Sequence, residues 1–319
     1  MGKTYEGGVP LAEVVRSGFV EGLHRGSVVV LDAAGALAAG AGDVTSPIFP
    51  RSSSKPMQAI GMLRSGLPLT DPADVALVAA SHAGEEFHVE RVAGLLSRAG
   101  LDEEALHCPP ELPVGDAARE AVLRSGGGAR RIQMNCSGKH TGMLLTCLAA
   151  GWPLDGYWRP GHPLQQRLTA VIEEFTGEPA AAVGVDGCGA PVLAVSLTGL
   201  ARAYLRLVSA EPGTVERTVA DAMRAFPELV GGTQADDTRL MRGVPGLLAK
   251  IGAEGVIAAA VPGVGAVALK IDDGAGRARM PVLVAALRRL GVEAPVLAEY
   301  AEVPLLGGGL PVGAVRPVW

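Results

Sequence analysis

The sequence predicts a mixed α/β fold of the α+β kind: an antiparallel sheet built from both chain ends, with a helical region inserted between them. Three observations carry this. Short apolar runs around turn signals fill residues 19–40. Such runs return after residue 230, in "GLLAKIGAEGVIAAAVPGVGAVALKIDDG". Between the two, the apolar spacing is helical. The sheet part covers about 1–50 and 230–319, the helical part about 51–229, and no linker or repeat divides the 319 residues, so one domain is expected.

The elements follow in order. "SVVVLDAAGALAAG" (27–40) reads as a strand, a turn around Asp32 and Gly35, and a weaker second strand. Residues 54–65 read as a helix with Pro56 in its first turn. "VALVAASHAGE" (75–85) is a short buried run, read as a strand, that ends in a polar cluster. It leads into an amphipathic helix near 86–99, stopped by Gly100. Residues 101–131 read as irregular, given Pro109, Pro110, Pro113 and the glycines at 126–128. Helices are expected near 138–150, 163–176, 191–208 and 214–226. The late strands follow, then a final helix near 277–290.

Composition narrows the function. Hydrophobic residues are 48% and aromatics only 4%, which predicts a sizeable, aliphatic core. The net charge of −5, mixed along the chain, gives no attraction for nucleic acid or an acidic membrane. The apolar runs at 191–200 and 256–269 are broken before they could span a bilayer. "MGKTYEGGVP" lacks the layout of a signal peptide, so a cytoplasmic location is expected. There, Cys108, Cys136, Cys147 and Cys188 are expected free or metal-bound. Lysine is confined to Lys3, Lys55, Lys139, Lys250 and Lys270, with arginine carrying the surface charge. Each interior lysine is then a candidate for work that arginine cannot do, namely losing a proton.

Two patterns fail on context. "GVGAVA" (263–268) fits a loose dinucleotide pattern, but a strand follows it where a helix is required. "SGKH" (137–140) lacks the upstream glycine of a phosphate loop.

Four patterns survive. Ser52-x-x-Lys55 in "RSSSKP" puts a serine and a lysine on one face of a turn, where a neutral lysine can take the serine proton. The same residues also suit a serine N-cap with a surface lysine. "ASHAGEE" (80–86) packs Ser81 and His82 beside acids at a helix start, which also suits a plain capping segment. Lys270 in "ALKIDDG" (268–274) interrupts an apolar strand, as an edge gatekeeper or a functional residue. Penicillin-recognising S-x-x-K enzymes also carry a lysine on a late strand. In "NCSGKH" and "DGCG", Cys136, Lys139 and Cys188 offer two thiolates and an amine to zinc, or are buried thiols beside a helix-start lysine.

Together, "HRGSVVVLDAAG" (24–35), "RSSSKPMQA" (51–59), "ASHAGEEFH" (80–88), "NCSGKHTGML" (135–144), "VDGCGAPV" (185–192), "KIGAEGV" (250–256) and "LKIDDG" (269–274) resemble the asparaginase II family of the rhizobial inducible type. They lie in the family's order along nearly the whole chain. The resemblance implies a fold like serine β-lactamases and serine-dependent glutaminases, and one catalytic domain over 1–319. It implies hydrolysis of L-asparagine to L-aspartate and ammonia by two Ser–Lys pairs, matched by Ser52 with Lys55 and by Ser81 with Lys270. It implies zinc held by Cys136, Lys139 and Cys188, in a tuning or positioning role. Arg51, Asn135 and Asp186 match pocket positions, and family members form homodimers. "GGTQADDTRLM" (231–241) matches more loosely, and no role passes to Asp237 or Thr238.

The mechanism expected is attack by Ser52 on the side-chain amide, with Lys55 as base. Ser81 and Lys270 relay protons, while Arg51 and Asp186 grip the substrate's carboxylate and amine. Two other readings stand beside it. One is a glutaminase or another small-amide hydrolase, since one methylene of substrate length changes affinity modestly. The other is a non-catalytic zinc- or ligand-binding protein on the same scaffold.

Overall fold

A computed structural model describes residues 4–319. The first strands are β1 (Val9–Arg16), β2 (Phe19–Asp32), β3 (Leu37–Ala41) and the two-residue β4 (Pro47–Ile48). A helical stretch follows: α1 (Lys55–Arg64), α2 (Pro72–Val78), α3 (Glu86–Arg98), α4 (Asp116–Arg124), α5 (Ser137–Ala150) and α6 (Pro163–Thr176). Three short strands come next: β5 (Val183–Val185), β6 (Pro191–Leu193) and β7 (Val195–Ser196). Then come α7 (Leu197–Val208), α8 (Val215–Ala225), α9 (Pro227–Val230) and α10 (Asp236–Gly243). The chain closes with β8 (Leu248–Ile251), β9 (Val256–Val261), β10 (Gly265–Ile271), α11 (Gly276–Arg289), α12 (Pro295–Glu299), β11 (Val303–Gly307) and β12 (Leu310–Pro317).

The fold is mixed α/β, and its main sheet draws strands from both chain ends. The strand order is β11-β12-β1-β2-β10-β9-β8, with β3 also paired to β2, and every pairing is antiparallel. In β9 and β10 every residue is buried except half-buried Lys270. Both faces of these strands are covered, which is why they read as continuous apolar runs instead of alternating ones. α7 and α11 pack on β10, and the small side chains of Ala258, Ala259 and Ala260 let covering elements approach closely.

Several elements differ from expectation, each for a physical reason. "VALV" is the helix α2, not a strand. Pro72 starts it and the Asp71 side chain caps it by accepting from Ala73 N–H. A run apolar on every side marks burial without choosing between helix and strand. The helix expected at 191–208 begins only at 197, where the Ser196 hydroxyl accepts from Gly199 N–H. α4 and α10 lie where none was expected. β1, β11 and β12 also lie where no strand was expected, because "VPLAEVV" carries a proline and "VPLLGGGLPVGAV" mixes proline and glycine, which leaves their alternation weak.

α2 and α5 cross closely. A Cβ on Gly138 would lie 2.5 Å from the Leu77 carbonyl oxygen, and one on Gly142 2.5 Å from a Val78 methyl. This contact brings the end of α2 to the start of α5, and so Ser81 to Cys136. All four cysteines are free and buried. Among the described residues, no helix is long and apolar enough to cross a membrane.

Candidate active site

The tight turn Arg51–Ser54 runs directly into α1. The Ser53 N–H closes it on the Pro50 carbonyl at 3.1 Å. The three serines have separate fates. Buried Ser53 donates its hydroxyl to the Lys250 carbonyl at 2.9 Å. Buried Ser54 donates to the Arg51 carbonyl at 2.8 Å and accepts from Gln58. Ser52 is half-buried, and among the described residues its hydroxyl has no hydrogen-bond partner. It is thus the serine of the three left free to react.

The turn is held against β8. A Cβ on Gly252 would lie 2.4 Å from the Pro50 carbonyl oxygen and 3.0 Å from Ser53 Oγ. The Tyr204 hydroxyl donates to the Ser53 carbonyl at 2.8 Å. Gly252→Ala must push strand and turn apart, because the obstacle is backbone. A loss of about 1–3 kcal/mol in stability is expected, read by thermal melting.

Lys55 is buried, and its Nζ lies in hydrogen-bond reach of Ser81 Oγ at 2.7 Å, Cys136 Sγ at 3.0 Å and the Ala80 carbonyl at 2.5 Å. Ser81 is fixed by its own N–H, which donates to the Val230 carbonyl at 2.9 Å. This changes the expected pairing. Lys55 bonds Ser81, with no hydrogen bond to Ser52, because α1 directs the lysine inward toward the end of α2. Ser81 also lines an open cavity of about 500 Å³ with Gly115, Gly231 and Gln234.

The expected Ser81–Lys270 pair is not formed. Lys270 is half-buried at the end of β10, two strands inside the sheet edge. Its ammonium donates to the carbonyls of Glu254 at 2.9 Å and Ile271 at 3.4 Å. Burial lowers its pKa.

The strand beside the serine turn is β8, and the lysine buried there is Lys250. Lys250 Nζ donates to Asp237 Oδ2 at 3.2 Å and to the Ile251 carbonyl at 3.1 Å. Asp237 is equally buried and also accepts from the N–H groups of Thr238 and Ile251. Burial lowers the Lys250 pKa, the field of Lys55 adds to that, and Asp237 opposes it. The sequence held a usable signal for this residue. Lys250-Ile251-Gly252 is a K-x-G on a late strand, the form penicillin-recognising enzymes use beside their serine.

The thiols form a second buried group. Cys188 sits in the tight loop between β5 and β6, where Gly189 takes a left-handed conformation (φ 85°). Lys139, in the first turn of α5, donates to Cys188 Sγ at 3.1 Å. A hydrogen bond from Cys136 holds Cys188 far below the usual thiol range, and the Lys139 charge adds to this. Cys136 is pushed up by that same bond and by burial. Burial alone would lower Lys139, but Cys188 and Cys136 outweigh it, and its pKa rises. Cys108 and Cys147, outside this group, are pushed up by burial to about 12 and about 11.

Two sulfurs and an amine therefore converge, a donor set that suits zinc once the amine is neutral. His140 lies beside Cys188, buried, with Nε2 unpartnered and Nδ1 bonded to the Tyr157 hydroxyl at 2.7 Å. Among the described residues, no three His, Cys, Asp or Glu side chains are grouped to hold a metal without the lysine.

The remaining expected residues border the opening. Arg51 takes a left-handed backbone conformation (φ 52°), and its Nε donates to Asp186 Oδ1 at 2.7 Å. Asn135 Oδ1 lies 3.0 Å from Cys136 Sγ, and the Asn135 carbonyl accepts from His82 N–H at 3.0 Å.

The family model described as L-asparaginase II matches residues 12–317. The chain belongs to the L-asparaginase II family. No curated protein matches it. Among solved structures, similarity is found to the native form of a protein called Mglu, at 16% identity and a TM-score of 0.46. That alignment covers 83% of this chain and 63% of Mglu, so the family member spans less than two thirds of that protein's length. A Mycobacterium bovis β-lactamase gives 16% identity and a TM-score of 0.44, over 83% of this chain and 94% of that one. A Bacillus glutaminase in the presence of 4.3 M NaCl gives 16% and 0.32, over 77% and 83%.

Proposed function

We propose that this L-asparaginase II family member hydrolyses L-asparagine to L-aspartate and ammonia through a serine nucleophile served by buried lysines. The carrying observation is the 2.7 Å bond from Lys55 to Ser81, one turn from the free hydroxyl of Ser52. In this reading Lys55 acts as a neutral amine: Ser52 Oγ bonds to the side-chain amide carbon, and its proton passes by way of Ser81 to Lys55 Nζ. The C–N bond then breaks, and the pair returns the proton to the departing ammonia. Water hydrolyses the Ser52 ester by the reverse proton path. The α1 N-terminus favours the negative charge that develops on the amide oxygen. Lys250, paired to Asp237 behind the serine turn, contributes its charge as the second lysine of the site, in place of the proton relay expected of Lys270.

Cys136, Cys188 and Lys139 would hold a zinc ion. When bound, it would supply a fixed positive charge that tunes the neighbouring lysine and serine. Chelation of the purified protein is expected to release about one zinc per chain. It lowers kcat/KM without abolishing it, and Cys188→Ser no longer retains metal. Elemental analysis and an ammonia assay on the same samples check both. A homodimer in the cytoplasm belongs to this reading, and sedimentation tests the dimer.

The test of the function is ammonia release from L-asparagine and L-glutamine at matched concentrations. Release from asparagine at the higher kcat/KM is the expected result. Preference for glutamine makes the protein a glutaminase. Release from neither amide, in protein with its metal bound, leaves the non-catalytic binding protein.

A further inference from the structure

Arg51 and Glu254 share an unusual trait. Besides Ser17, they are the only non-glycine residues with left-handed backbone among the described residues, at φ 52° and 57°. Their side chains meet, with Arg51 Nη1 3.8 Å from Glu254 Oε1. That is an ion-pair distance without a hydrogen bond. Of the five N–H donors of Arg51, only the one on Nε is hydrogen-bonded among the described residues, to Asp186. Its two terminal nitrogens stay available as a fork for a carboxylate. Among the described residues neither oxygen of Glu254 accepts a hydrogen bond, and its side chain is 66% exposed. Asp186, by contrast, has Oδ1 committed to Arg51 and to Gly187 N–H. It aims the arginine.

The turn that carries Glu254 is built to stay put. Gly252 abuts the Pro50 carbonyl on the serine side. Lys270 ties down the Glu254 carbonyl, and Ile271 N–H donates to the Gly255 carbonyl at 3.1 Å. The Glu254 carboxylate lies over Gly274, where a Cβ would come within 2.9 Å of Oε2. An anion is thus held beside the open fork of a cation, next to the residue before Ser52 and Ser53. A carboxylate and an ammonium on one carbon atom need that pairing of complementary charges at close range.

We infer that Glu254 grips the α-ammonium of the substrate while the Arg51 fork takes its α-carboxylate, so that the site selects zwitterionic α-amino acid amides over their deamino analogues. This rests on the amidase reading above and moves the amine-binding role from Asp186 to Glu254.

Ammonia release from L-asparagine and from succinamate, which lacks only the α-amino group, tests it in the wild type and Glu254→Gln. The expected result is a rise in KM for asparagine of about tenfold, with kcat within about threefold and succinamate kinetics unchanged. Equal changes on both substrates, or no change on either, overturn the inference. If the wild type releases no ammonia from any amide, the amidase reading fails, and calorimetry with aspartate and succinate tests the grip alone. Weaker binding of aspartate but not succinate to Glu254→Gln then upholds it, and equal binding overturns it.

Discussion

Ser52→Ala is expected to lower kcat/KM for L-asparagine at least about ten-thousandfold, the scale seen when a nucleophile acting with its base is removed. The thermal midpoint should hardly move, because the Ser52 hydroxyl has no hydrogen-bond partner among the described residues to lose. Lys55→Met should cost activity on the same scale but also stability, since it strands Ser81 and the Ala80 carbonyl. Ser81→Ala sharpens the comparison. If Ser81 only relays protons, this variant keeps forming an ester on Ser52 from a slow ester substrate, and intact-mass spectrometry detects it. A mass increase that maps to Ser81 in the wild type would reverse the roles of the two serines.

The second large effect falls on stability. Asp237→Ala leaves the Lys250 ammonium buried without its counter-charge and is expected to cost about 3–5 kcal/mol in chemical denaturation. The cost should shrink as pH rises. Lys250 already has a lowered pKa in the folded chain, and losing Asp237 lowers it further. Between that folded value and the ordinary lysine range, the unfolded chain binds the extra proton, so stability climbs with pH there. Once the amine is neutral in both states, the charge penalty is gone. A double replacement, Asp237→Leu with Lys250→Met, should recover most of the stability while activity stays low. Recovery of both would show the pair to be structural only.

Much of this was legible in the chain, though unevenly. Ser52, Lys55, Ser81, Cys136, Lys139 and Cys188 stand in short local patterns, and the fold gathers the last five into contact. What the patterns could not carry was pairing. Spacing along a helix tied Lys55 to Ser52, but the inward direction of that side chain gave it to Ser81. The lysine that looked out of place was Lys270, since it breaks an apolar strand. Lys250 looked ordinary in "LLAKIG", yet of these two it is the fully buried one, because Asp237 arrives from α10, an element without a sequence signal strong enough to find. Sheet and helix periods were clear where burial was one-sided. They failed at α2, buried all round, and at the terminal strands broken by proline and glycine.

The bond from Ser53 to the Lys250 carbonyl joins residues 197 positions apart, and β1 pairs with β12 at the far end of the chain. Such long-range closure is slow to form, because loop entropy is lost before the contact repays it. During synthesis, the serine turn emerges long before the strand that must brace it. A nascent chain would thus carry the reactive serine without its working surroundings. The serine turn would gain its brace only after the strand that carries Lys250 had been translated.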